Sequence, residues 1–239
     1  MRIINNQNGY TLVELLISTT IFSVILLGAA ASLLQINKMY YKGVIASRTQ
    51  ETSRKTIDEI SRNIQFSDQA IVNPTSDTGV PAYSEDRQGV KVSAFCVGNT
   101  RYTYALNAQV NDRVTAGIYD ASKHQIKHAL WRDTVSDPSN NCIPPGQQGA
   151  PVLPDLRQTT PSSGGTELLE QSMRLSNVII NDTNNDAVWK VSLGIIYGDD
   201  DLLSPNASNP QNCKGSVVGG QWCAVSMLST QVFKRIQSK

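Results

Sequence analysis

A long apolar run organises the N-terminal part of the chain. From Leu15 to Asn37 no residue carries a charge and none is proline. A helix rises about 1.5 Å per residue, so this run is long enough to cross a hydrocarbon core of about 30 Å. The pattern predicts a membrane-spanning helix over residues 10–37.

The helical pattern continues beyond this run in a different form. Ile57, Ile60 and Ile64 recur at a spacing that places them on one helix face, with charged residues on the other faces. Residues 38–66 are therefore predicted to continue the helix as an amphipathic segment. Its apolar stripe needs a covering layer, which residues 67–239 must supply.

Residues 67–239 are predicted to form a β-rich globular domain. Short segments of alternating apolar and polar residues are separated by long loops rich in Pro, Gly, Asn, Asp and Ser. The first two segments are joined by "GNT", which is a hairpin signal. Strands are predicted over 90–97, 101–107, 127–132, 174–181, 186–198 and 222–236. The predicted fold class is α+β, with the long N-terminal helix packed on an antiparallel β-sheet.

Four cysteines lie in the β-rich region, and none lies in the apolar run. An even number of cysteines behind an export-type N-terminus indicates two disulfides outside the cytoplasm. Three pairings exist for four cysteines. Cys96–Cys142 and Cys213–Cys223 are favoured because each pair closes a contiguous loop. Zinc is not predicted, since the chain has no C-x-x-C pair.

Glu14, near the start of the apolar run, is the residue that a simple membrane anchor does not explain. An acid at the bilayer centre costs about 2.5–3.5 kcal/mol, and intramembrane acids usually have a partner. Three interpretations compete: a signal peptide cleaved after Ala31, an uncleaved anchor, and cleavage between Gly9 and Tyr10. The last creates an α-amino group on Tyr10, which a neighbouring copy of the helix could present to Glu14. Glu14 is then a docking group for another chain.

These residues carry a family resemblance. The segment "NGYTLVELLISTTIFSVILLGAAASLL" resembles the N-terminus of type IV pilins and of type II secretion pseudopilins. The resemblance implies that residues 1–9 are a leader, which prepilin peptidase removes by cutting after Gly9. It also implies that Tyr10 is N-methylated and that Glu14 serves subunit assembly. Tyr10 departs from the phenylalanine that is usual in the family.

The resemblance also implies a pilin-like fold and a structural role. The implied partners are prepilin peptidase, other pilin subunits, a membrane platform protein and a cytoplasmic assembly ATPase. The implied location is the cytoplasmic membrane, as a single-pass protein, and then an extracellular or periplasmic filament. The size and the long loops favour a minor type IV pilin that initiates or decorates a pilus. A J-type pseudopilin of type II secretion and a secreted binding domain cleaved after Ala31 are the alternatives.

Other functions have little support in the sequence. The net charge is +1 and no basic stripe is present, so no nucleic-acid partner is predicted. G-x-S-x-G, P-loop and G-x-G-x-x-G motifs are absent. The prediction is therefore a protein that is not an enzyme and has no catalytic residues.

Two groups of residues are candidate metal ligands. His124 and His128 lie four residues apart, but lysines flank them and no third ligand is evident, so a solvated turn or strand end is favoured. Asp199, Asp200 and Asp201 follow a predicted strand and offer the oxygen ligands that calcium prefers. Turn chemistry explains the same three aspartates. No cofactor is predicted, with calcium at Asp199–Asp201 as the alternative.

Overall fold

A computed structural model describes residues 11–87, 90–107, 128–138, 142, 164–183, 187–203, 212–214 and 219–235. The chain divides into two compact units, Met1–Tyr41 and Lys42–Lys239. Helix α1 runs from Leu12 to Phe66 and contributes residues to both units. Its predicted extent, residues 10–66, agrees with these bounds to within two residues.

The second unit contains two antiparallel sheets. Their strands are β1 (Ile71–Val72), β2 (Glu85–Arg87), β3 (Val90–Val97), β4 (Thr100–Ala105), β5 (Leu130–Thr134), β6 (Thr166–Glu167), β7 (Met173–Asp182), β8 (Val188–Tyr197) and β9 (Ala224–Phe233). The first sheet has the order β1–β3–β4–β5–β6, with β2 also paired to β3, and the second has the order β7–β8–β9. A parallel bridge between Leu106 and Leu175 connects the two sheets.

The α+β prediction is confirmed, and the six predicted strands correspond to β3, β4, β5, β7, β8 and β9. Gly98, with φ of 56°, opens the two-residue turn that joins β3 to β4, as the hairpin signal indicates. The predicted start of β5 at residue 127 is wrong, because this strand begins at Leu130. Strands β1, β2 and β6 were not predicted; at two or three residues each they are too short to show an alternating pattern.

The second half of α1 packs against both sheets. Ile57 is 5% exposed, and Ile60 and Ile64 are completely buried. Their core cluster includes Phe95 from the first sheet and Leu193 from the second. The predicted apolar stripe therefore faces the β domain, and burying each isoleucine side chain stabilises the fold by roughly 1.5–3 kcal/mol.

Polar contacts fix the helix on the first sheet. The side-chain amide of Asn63 donates a hydrogen bond to the hydroxyl of Tyr102, whose ring is buried. Nη1 of Arg132 lies 2.8 Å from Oε1 of Glu59. Since these partners come from α1 and from β4 or β5, they fix where the helix lies along the sheet.

His128 does not lie in the solvated turn or strand end that was predicted for it. It is 7% exposed, its ring centroid lies 4.3 Å from that of Trp131, and its Nδ1 lies 3.3 Å from Oε2 of Glu167. The other oxygen of Glu167 accepts hydrogen bonds from the N–H groups of Leu130 and Leu169. The prediction failed because the acid that pairs with His128 is distant in the sequence. His124 lies outside the described residues.

Glu167 is expected to make the stability of the fold depend on pH. Burial raises the pKa of Glu167, and hydrogen bonds from His128, Leu169 and Leu130 oppose that increase. A carboxyl whose pKa is raised on folding contributes stability that is complete below its unfolded pKa of about 4.3. That contribution is lost as the pH rises through the folded pKa. Urea unfolding at a series of pH values should therefore show a smaller loss of stability with rising pH in Glu167→Gln than in the wild type.

The half-exposed Glu170 supplies the control for this measurement. The Glu170→Gln variant removes one carboxylate from the surface and controls for the loss of a negative charge. If Glu167→Gln keeps the wild-type pH dependence of stability, the buried carboxyl does not contribute as described.

Candidate functional site

The first unit presents an apolar helix surface on all sides. Every residue from Thr11 to Gly43 is exposed, including large apolar residues such as Leu12, at 78%, and Phe22, at 62%. Within the described part of the chain, α1 is the helix that is long and apolar enough to cross a membrane by its length and composition. Apolar area of this extent is unfavourable in water, so lipid or other apolar helices must cover it.

The hydroxyl groups in this part of the helix are satisfied locally. Each serine and threonine between residues 12 and 37 donates its hydroxyl hydrogen to a backbone carbonyl three or four residues earlier, at 2.7–3.0 Å. These hydroxyls therefore need no partner from another molecule. Glu14 is the only ionisable residue over the same stretch.

Glu14 also takes part in a capping box at the helix start. Its backbone N–H donates to Oγ1 of Thr11 at 3.3 Å, and its Oε2 lies 3.4 Å from both the backbone N and Oγ1 of Thr11. Thr11 is thus the N-cap and Glu14 the third helical residue, as in the T-x-x-E pattern. This capping box was not predicted, although the letters "TLVE" carry its signal.

The capping box does not explain why residue 14 is charged, because a neutral glutamine could make the same hydrogen bonds to Thr11. Glu14 is exposed in the isolated chain, so its carboxylate is solvated and can also reach outward. In an apolar environment the hydrogen bonds from Thr11 would not neutralise the charge, and an opposite charge would still be needed. Gly9 and Tyr10, the predicted cleavage and methylation residues, lie outside the described residues.

Both cysteine pairs favoured from the sequence lie at disulfide distance. The Cα atoms of Cys96 and Cys142 are 6.0 Å apart, and those of Cys213 and Cys223 are 5.8 Å apart. Cys96 and Cys142 are completely buried, in a second core on the face of the first sheet that carries Trp131. Cys223 packs with apolar residues behind the second sheet. The two bonds therefore brace different sheets.

The aspartates considered for calcium are only partly described. Asp199 lines a small cleft with Tyr197 and Trp222, and Asp201 lies in a short 3-10 turn. Within the described ranges, no group of three or more His, Cys, Asp and Glu side chains is arranged to hold a metal. The side chain of Asp200 is outside those ranges. The prediction of no cofactor, with calcium at these aspartates as the alternative, therefore stays a prediction.

The fold and the N-terminal region together define a pilin-like α+β protein, with a long N-terminal helix packed against antiparallel sheets. The family model described as the prokaryotic N-terminal methylation motif matches residues 4–30. That match supports the type IV pilin and pseudopilin family, whose members are processed by prepilin peptidase. No curated protein and no solved structure matches the chain.

Proposed function

We propose that the chain is a minor type IV pilin, a structural subunit that helps to initiate or assemble a pilus. Prepilin peptidase removes the leader, residues 1–9, and the new first residue, Tyr10, is N-methylated. Residues 10–37 hold the subunit in the cytoplasmic membrane, and residues 67–239 form its extracytoplasmic domain. The subunit then passes into an extracellular or periplasmic filament.

Glu14 is the observation that carries this proposal. Between residues 12 and 37 it is the only ionisable side chain, and the hydroxyl groups of this apolar stretch are all satisfied internally. In a filament core made of such helices, an unpaired carboxylate would be costly. The α-amino group of Tyr10 on a neighbouring subunit supplies the missing positive charge. Pairing therefore neutralises both groups and fixes how far one helix is shifted along the next.

The partners follow from this assembly route. Prepilin peptidase, other pilin subunits, a membrane platform protein and a cytoplasmic assembly ATPase act on the subunit in turn. The role is structural and not enzymatic. Long connections between the strands suit a subunit that is present in few copies better than one that packs closely against identical copies along the whole fibre.

A J-type pseudopilin of type II secretion is the second candidate. The same N-terminal motif supports both functions, because both classes are processed by prepilin peptidase. Deleting the coding sequence distinguishes them. Loss of surface pili with normal protein secretion supports the minor pilin, and the reverse supports the pseudopilin.

The Gly9→Leu substitution is expected to block removal of the leader. The peptidase cuts directly after this residue in the proposed route, and a branched side chain there prevents the close approach that glycine permits. Intact-mass measurement of the chain from a cell that contains prepilin peptidase should then give the unprocessed mass. Thr11→Ser, two residues away, is the matched control and should be processed normally. Full processing of Gly9→Leu would contradict the assigned cut.

A further inference from the structure

Strand β9 is a long open edge of the second sheet. It runs for ten residues from Ala224 to Phe233 and pairs along its length with β8. It is the last strand in the sheet order, and within the described residues no strand lies on its other side.

The register shows which residues of β9 face the open side. The N–H of Lys234, directly after the strand, donates to the carbonyl of Ala187 at 2.8 Å. Hydrogen-bonded pairs alternate along an antiparallel ladder, so even-numbered residues of β9 bond to β8 and odd-numbered residues point their N–H and C=O groups outward. The outward set is Val225, Met227, Ser229, Gln231 and Phe233.

Within β9 this edge lacks the proline and charged side chains that usually protect an edge strand. Past its end α1 covers it, since the N–H of Arg235 donates to the carbonyl of Gln65 at 3.0 Å. Met227 is 50% exposed and Phe233 is 64% exposed, and both lie on the sheet face opposite the helix. A long, uncharged and partly apolar edge is suited to pairing with another strand.

The lengths of the edges restrict which chain can supply that strand. The edges of the first sheet, β1, β2 and β6, are two or three residues long. The other edge of the second sheet, β7, has ten residues, but its outer side is bonded within the chain: the N–H of Thr75 donates to the carbonyl of Ile180 at 2.9 Å, and the N–H of Asn107 donates to the carbonyl of Leu175 at 2.6 Å. A second copy in the same orientation therefore has no described edge that is both as long as β9 and open. Pairing β9 with itself about a two-fold axis normal to the sheet would turn the packed helices of the two copies in opposite directions. Two chains anchored in one membrane cannot adopt that arrangement.

We propose that β9 pairs with an edge strand of a different pilin-type subunit that lies beside this one in the assembly. The partner strand is extended and uncharged, close to ten residues long, and apolar where it lies beside Val225, Met227 and Phe233. This proposal rests on the proposed function, because it requires a neighbour with the same orientation. Backbone hydrogen bonds from β9 would then hold one specific neighbouring subunit beside this chain.

The test uses the full chain with a photo-cross-linking amino acid at Gln231. It is co-expressed in its own cells with each tagged protein of those cells that carries the N-terminal methylation motif. An adduct with one such protein is expected. The Ser229→Pro substitution removes an outward N–H and no bond to β8, and should reduce the adduct roughly tenfold. Ser229→Ala keeps the N–H and should leave the adduct unchanged.

The Ser229→Lys substitution is a second test in case Ser229→Pro does not fold. A charge on the exposed edge should weaken pairing with the partner strand and leave the pairing of β9 with β8 intact. Adducts only with second copies, no adduct with any tagged protein, or equal yields in all variants would each overturn the proposal. Leader removal and filament entry are measured in the same cells. A processed chain that enters filaments without an adduct overturns only the edge pairing, whereas an unprocessed chain overturns the proposed function.

Discussion

Replacing Glu14 with glutamine is expected to reduce entry of the chain into filaments by at least about a hundredfold, with leader removal unchanged. Breaking a buried ion pair by neutralising one partner costs roughly 3–5 kcal/mol, which corresponds to that factor or more. Glutamine keeps the length of the side chain and an oxygen that can reach the N–H of Thr11. The substitution therefore removes the charge and preserves the capping box.

Thr11→Val is the complementary variant. It removes the capping hydroxyl that accepts the Glu14 N–H and leaves the carboxylate in place. The expected loss is about 1 kcal/mol of helix stability, with filament entry close to the wild-type level. Immunoblots of membrane and sheared-filament fractions measure both variants. Normal entry of Glu14→Gln, with poor entry of Thr11→Val, would mean that Glu14 serves the helix start and not the neighbouring chain.

Removing the Cys96–Cys142 bond is expected to cause the largest loss of stability in the globular domain. The two cysteines are 46 residues apart, and closing a loop of that length stabilises a fold by about 4 kcal/mol in the chain-entropy treatment. Cys96→Ala with Cys142→Ala should therefore lower the urea midpoint strongly. Alanine is chosen because both positions are completely buried and a serine hydroxyl would add a desolvation cost.

The second disulfide provides the internal comparison. Cys213 and Cys223 are separated by ten residues, and the same treatment gives about 3 kcal/mol. The double alanine variant at these positions should be the more stable of the two in urea unfolding of the full chain in detergent. Equal midpoints for the wild type with and without reductant would contradict both bonds.

The parts of the fold that depend on local pattern could be predicted from the sequence. The uncharged run and the isoleucine spacing specify α1, because a 3.6-residue period places Ile57, Ile60 and Ile64 on one face. The longer strands follow from alternation between turn-forming residues. The acid at Glu14 was visible because it interrupts an apolar run, which is where a carboxylate is most costly.

Apart from the capping box of Thr11 and Glu14, whose signal is local, the features that were missed depend on contacts distant in sequence or on single backbone bonds. His128 is buried just before β5, with its Nδ1 beside a carboxylate oxygen of Glu167 on β6, and no local spacing indicates that pair. The open edge of β9 depends on the sheet order and on the parity of its hydrogen bonds, neither of which a strand pattern specifies. The short strands β1, β2 and β6 are fixed by their neighbours and not by their own residues.

The most direct test of the account is the N-terminus of the mature chain isolated from filaments or membranes. Mass spectrometry of its N-terminal peptide should show a chain that begins at Tyr10 and carries one methyl group on its α-amino nitrogen, with Glu14 retained. A mature chain that begins at Ser32, without the apolar helix, would contradict assembly through Glu14 and indicate a secreted domain instead.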